Sequence, residues 1–283
     1  MYDALRELAQ GFLDFPGNRF DAATLTDETL TAIYDNSLIV LYRMLFALYA
    51  ESRDLLPLQS NGAYRSGYSF DALKRKVVRD MQENIGAVAT RSRLWDRLVD
   101  LWDIIDKGDA ALDVPTYNGG LFKPEGHPFL MQYRVGDAAL RQAIDLLARV
   151  ANPETGRREF VDYRDLDVRH LGSIYEGLLE YWLRIANDAL TVETVGSKSK
   201  KTERYKPAGK GDAIVVAQGG AYLMTDNGER KQTGSYYTPD YIVQYIVEQT
   251  LRPLLDASSD SGKVGPAAAP SASPPENTKA PSS

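Results

Sequence analysis

The chain has 283 residues, 43% of them hydrophobic and 25% charged, with a formal net charge of −6. That composition suits one or two globular domains, and the acidic balance excludes a surface that grips nucleic-acid phosphates everywhere, so any basic contact must be local. Zero cysteines exclude disulfides, zinc ribbons, iron–sulfur clusters and thiol nucleophiles, and two histidines, His127 and His170, are too few for a multi-histidine metal site. No apolar run reaches the roughly 18 residues of a membrane helix, and Met1 opens a polar amphipathic stretch, so the expectation is a soluble cytoplasmic protein.

Asp27 to Leu56 predicts a long helix, with an acidic first turn, leucine-rich helical spacing in its second half, and Pro57 to stop it. Tyr64 to Ser69 is turn-rich. Phe70 to Ile85 and Ser92 to Ile105 follow as amphipathic helices, the second with Trp95, Leu98, Leu101 and Trp102 on one side. Pro115 to Phe129, PTYNGGLFKPEGHPF, has too much Gly and Pro for regular structure and too many aromatics for a plain linker; it reads as an ordered loop held by Tyr117, Leu121 and Phe122. Two more helices are expected over Asp137 to Val150 and Asp167 to Ala186. The pattern then turns to short β-branched runs: Leu190 to Val195, Ala213 to Ala217 and Ala221 to Thr225, a strand pair or meander. Between the first two lies a mobile basic loop. Thr238 is an N-cap type, Pro239 suits the first helical position and Asp240 opposes the helix dipole, so a helix starts at Pro239 and runs to about Leu255, its N-terminus able to hold an anion. Residues 256–283, rich in Ala, Pro and Ser, are expected to be disordered.

Four stretches carry a resemblance: LYRMLFALYAESRDLLP at Leu41 to Pro57, YNGGLF at Tyr117 to Phe122, LGSIYEGLLEY at Leu171 to Tyr181, and RKQTGSYYTPDYIV at Arg230 to Val243. In that order they resemble the region just upstream of the catalytic core in type IIG restriction–modification enzymes and related phage-defence N6-adenine DNA methyltransferases. The likeness spans nearly everything between about residues 25 and 255. It implies a mainly α fold: a multi-helix, bundle-like connector over 1–186, then a short β hairpin or meander and the first helix of a methyltransferase domain over 187–255, then the tail. It also implies S-adenosylmethionine as cofactor, with Tyr237, Thr238 and Pro239 as its contacts, because a hydroxyl and free N–H groups at a helix start can receive the methionine carboxylate. Double-stranded DNA and a downstream methyltransferase core, in cis or in trans, are the implied partners. The glycine turn that holds the rest of the cofactor and an Asn-Pro-Pro-Tyr tetrapeptide for the flipped adenine are not found in the sequence. The expectation is therefore the front part of an enzyme, inactive alone. A non-enzymatic helical scaffold that docks a separate methyltransferase through exposed Trp and Tyr surfaces is the alternative.

On this acidic chain the basic loop supplies the candidate DNA contacts Lys198, Lys200, Lys201, Arg204, Lys206 and Lys210, although a solvated loop with no partner has the same composition. Glu229-Arg230-Lys231, with Asp212 or Asp226 as a second carboxylate, has the order of a metal-dependent nuclease, but charged residues are ordinary at a hairpin end. His170, Glu176 and Glu180 invite an acid–base site; the apolar stripe of Tyr175, Leu178, Leu179 and Trp182 makes their helix a packing element instead. His127, between Gly126 and Pro128, reads as structural or solvent-exposed.

Overall fold

A computed structural model describes residues 1–21, 24–117, 119–166, 168–197, 200–225, 230, 245 and 247–250. The chain divides into two compact units, Met1–Ser235 and Tyr236–Ser283. In the second, Tyr245 and residues 247–250 are helical. The predicted start of that helix at Pro239 and the tail after residue 255 lie outside the described residues.

The first unit is mainly α-helical with small antiparallel sheets. Helix α1 (Tyr2–Asp14) buries Tyr2, Leu5, Leu8, Ala9 and Phe12 at three- and four-residue steps and packs on the helices at Asp27–Ser52 and Asp137–Ala148 and on the strand at Ala221–Thr225. Its sequence is legible only as an amphipathic stretch. Helix α2 (Asp27–Ser52) starts at Thr26, whose hydroxyl accepts from the Thr29 amide at 3.3 Å, with Asp27 and Glu28 in the first turn. Its second half is buried nearly all round, from Val40 through Leu41, Met44, Leu45 and Leu48 to Ala50, which makes it the central element of the core. It ends at Ser52 and not at Leu56. Asp54 takes φ 56°, and the amides of Leu55 and Leu56 turn back to the Ala50 carbonyl at 2.9 and 3.3 Å, so a left-handed residue stops the helix before Pro57 is reached.

A π-helical turn at Tyr64–Tyr68 leads to α3 (Phe70–Gln82), capped by Ser69 Oγ, which accepts from the Ala72 amide at 3.1 Å. Helix α4 (Arg93–Lys107) buries the predicted Trp95, Leu98, Leu101 and Trp102, and Ile105 with them. The segment from Pro115 is held by buried Phe122 with Tyr117 and Leu121 half-buried against the core, as expected, but its end begins the short helix α5 (Pro128–Gln132).

Four expectations are corrected beyond this point. Helix α6 (Asp137–Ala148) stops short of Val150, because Arg149–Ala151 forms strand β1 and pairs antiparallel with β2 (Arg158–Phe160). Fully buried Asp145 fixes that hairpin through Arg149, at 2.5 Å, and Arg158. The helix expected over Asp167 to Ala186 is α7 (Val168–Leu179) followed by strand β3 (Tyr181–Ile185), in which Tyr181 and Leu183 point inward and Trp182 outward with the period of a strand. Ala213 to Ala217 is not a strand; Val216 makes one isolated bridge to Leu190.

Strand β4 (Leu190–Ser197) pairs instead with β5 (Lys200–Pro207), so most of the expected mobile basic loop is a strand. Strand β6 (Ala221–Thr225) pairs antiparallel with β3, joining residues on both sides of position 186 within one compact unit. The Tyr2 hydroxyl donates to the Leu223 carbonyl at 2.6 Å and lies 3.0 Å from the Tyr205 hydroxyl, which ties α1 to this sheet. No helix of the described residues is long and apolar enough to cross a membrane.

Candidate functional site

Three of the four resembling stretches meet around α2. Phe46 stands edge-on to Tyr117 and to Phe122, with ring centroids 5.5 and 5.1 Å away, and the Tyr117 hydroxyl donates to the Leu55 carbonyl. Arg43 Nε donates to the Leu121 carbonyl at 2.8 Å. On another side of the same helix, Tyr42 packs against Tyr175 at 5.2 Å and the Tyr34 hydroxyl donates to the Leu178 carbonyl. Thus Leu41 to Pro57 holds YNGGLF through Arg43, Phe46 and Leu55, and its Tyr42, with Tyr34 upstream on the same helix, holds the α7 stretch. Asn118 lies outside the described residues. The fourth stretch is described at Arg230 alone.

The expected cofactor contacts Tyr237, Thr238 and Pro239 lie outside the described residues. Among the described residues no cluster of His, Asp and Glu could hold a metal ion. Of the nuclease-like triplet, Arg230 donates to Glu203 Oε2 at 3.0 Å and leans on the Tyr205 ring, while Asp212 accepts the Gly209 amide at 2.9 Å in a local turn. Both side chains are therefore engaged in holding the β4–β5 ribbon and the turn after it. Glu229, Lys231 and Asp226 lie outside the described residues.

The candidate DNA contacts are placed on a ribbon with a fixed register. Lys200 and Lys201 pair in register with Ser197 and Gly196, Arg204 with Glu193, and Lys206 with Thr191. Arg204 and Lys206, two residues apart, share the face opposite Tyr205, and both are exposed. Lys206 also reaches Glu193 at 3.4 Å, an exposed pair worth about 0–1 kcal/mol. Lys210 is exposed in the turn after β5; Lys198 lies outside the described residues. A charged, twisted edge strand of this kind resists pairing with other chains while it displays its cations outward.

Of the residues that suggested acid–base chemistry, His170 borders a groove formed with Met1, Tyr163 and Leu166, whereas Glu176 and Glu180 are exposed. His127 is half-buried, with Nε2 3.3 Å from the Gly120 carbonyl, and burial together with the Arg43 charge holds its pKa below the ordinary value. The residue that sequence reasoning missed is Arg43. It is 4% exposed, and burial pushes its guanidinium pKa down to about 10 although Asp106 opposes the fall. A lone arginine inside the apolar run LYRMLF was the available signal. Comparison with protein-family models, with curated proteins and with solved structures finds no match to this chain.

Proposed function

We propose that this chain is the helical connector and cofactor-contacting portion of a site-specific N6-adenine DNA methyltransferase of a restriction–modification or phage-defence system. The observation that carries the proposal is the assembly of Leu41 to Pro57, Tyr117 to Phe122 and Leu171 to Tyr181 around α2. Stretches that resemble one family in sequence order also pack on one helix, as the parts of a single connector unit would.

In this reading the chain binds and positions. The Thr238 hydroxyl and free amides at the start of the expected helix receive the carboxylate of S-adenosylmethionine, with Tyr237 and Pro239 beside it, and the cofactor supplies the methyl group. The pocket for the extruded adenine is supplied by a methyltransferase core joined to this chain in cis or in trans. The ribbon bearing Arg204 and Lys206, with Lys210 in the turn after it, meets DNA phosphates.

Calorimetric titration with S-adenosylmethionine, of this chain and of the chain joined to such a core, tests the proposal. Weak binding alone and clear binding when joined are expected, with Thr238→Val weakening the joined protein by roughly tenfold because the hydroxyl is removed. No binding in either form overturns the cofactor role. The outcome would then favour the scaffold reading, for which the exposed Tyr175, Leu179 and Trp182 are the docking candidates.

A further inference from the structure

Two residues that line one cavity each carry a buried N–H group with no acceptor among the described residues. The cavity holds about 290 Å³ and is bordered by Arg43, Trp95, Trp102, Phe122, His127 and Met131. Arg43 Nε is satisfied by Leu121, but its Nη2 meets no acceptor among the described residues, and neither does Nε1 of Trp102, a residue 3% exposed. The guanidinium carbon lies 4.7 Å from the Trp102 ring centre, so the two donors belong to one stacked pair. Buried donors are rarely left without a partner, because hydrogen bonds to water are lost and nothing replaces them. Two such donors just behind the lining of an aromatic cavity are what a ligand with one acceptor group would complete once the lining shifts.

The surrounding charges limit what that ligand is. Arg134 is already paired with Asp96 at 2.6 Å, which leaves Arg43 as the cation for an incoming anion. Asp103, paired with Lys107 at 2.5 Å, borders the cavity and Asp106 acts electrostatically on Arg43, so a doubly charged phosphate would meet more repulsion than a single carboxylate. The volume accommodates roughly ten non-hydrogen atoms. Neither orphan N–H is open to water in this conformation, so binding goes with a rotamer change in the lining. Met131, unbranched and 66% exposed, is free to make one.

We propose that this cavity binds a small aromatic monocarboxylate, its carboxylate received by Arg43 Nη2 and Trp102 Nε1 and its ring by Trp95, Phe122 and Met131. The site is independent of the methyltransferase reading and is tested on this chain itself. Trp182→Phe leaves Trp95 and Trp102 as the only tryptophans, both at the cavity, so their fluorescence reports its occupancy. Titration with phenylacetate is expected to give saturable quenching, with phenethylamine and phenyl phosphate at least about tenfold weaker. Met131→Glu, a change at an exposed position that leaves the core intact, is expected to weaken phenylacetate by at least about tenfold. Arg43→Lys, its fold checked by circular dichroism, is expected to do the same through loss of the planar fork. No saturation below about 10 mM phenylacetate, equal or tighter binding of the amine or the phosphate, or unchanged affinity in Met131→Glu overturns the proposal.

Discussion

Glu51 shows how one buried side chain links distant parts of the chain. Its Oε1 accepts from the Tyr64 hydroxyl at 2.8 Å and the Phe70 amide at 2.6 Å, and its Oε2 from the Asp71 amide at 2.8 Å, so it joins the end of α2 to the π-helical turn and the start of α3. Burial pushes its carboxyl up to about 7 from an ordinary 4.5, against the pull of those donors. Between these two values the folded chain keeps a proton that the unfolded chain has released. Its stabilising contribution is therefore complete below pH 4.5 and lost as pH rises to 7, a decline of about 3 kcal/mol. Urea unfolding at pH 5 and pH 7.5 is expected to show a lower midpoint at the higher pH, and Glu51→Gln is expected to flatten that difference. The variant is also expected to lose about 1–3 kcal/mol at pH 5, because its amide turns a donor toward the Asp71 N–H or the Tyr64 and Phe70 donors. An equally steep pH dependence in Glu51→Gln would remove this carboxylate as its source. Nothing local in the sequence marks Glu51 as buried, since its partners lie 13 to 20 residues further on.

At the scale of elements, legibility followed periodicity. Helices α2, α3, α4 and α6 repeat apolar residues at helical spacing, and α2 and α3 are capped by Thr26 and Ser69, so their cores were readable and only their ends moved. The stretch after Leu179 was not readable in that way, because Tyr181, Leu183 and Ile185 continue an apolar pattern that either a helix or a strand can use; pairing with β6 decides for the strand. The same held for KKTERYKP, whose charge suggests a loop while Thr202 and Tyr205 and the β4 partner make it a strand. Packing between elements sets the sign of a substitution at Gly11 in α1. A Cβ there would lie 2.5 Å from the Ala139 Cβ and 2.6 Å from Val135 Cγ1. Helix propensity favours alanine by roughly 0.5–1 kcal/mol, but overpacking costs about 1–3 kcal/mol, and the Ala139 methyl has no rotamer through which to yield. Gly11→Ala is expected to lower the Tm; an unchanged or higher Tm would mean that α1 and α6 separate easily.

For the molecule as a whole, net charge and local charge make different statements. A chain of net charge −6 has no general attraction for DNA, so binding through the ribbon must appear as a small, countable salt dependence. With Arg204, Lys206 and Lys210 each replaced by Gln, the slope of log affinity against log salt is expected to fall by about 0.9 for each phosphate that is no longer neutralised, measured on duplex DNA with the chain joined to its methyltransferase core. An unaltered slope would take the ribbon off the DNA. Composition showed this basic segment and could not show its register. The aromatic junction around α2 was visible as three stretches but not as a packed unit, and the Arg43–Trp102 pair is joined only by the fold. The hydrogen bond from Tyr2 to Leu223 spans 221 positions. At a synthesis rate of roughly 5–20 residues per second, β6 leaves the ribosome about 10–45 s after α1. During that interval the first turn of α1 waits without its sheet, so a nascent chain interrupted before β6 presents an unfinished α1 to chaperones and proteases until β6 arrives to cover it.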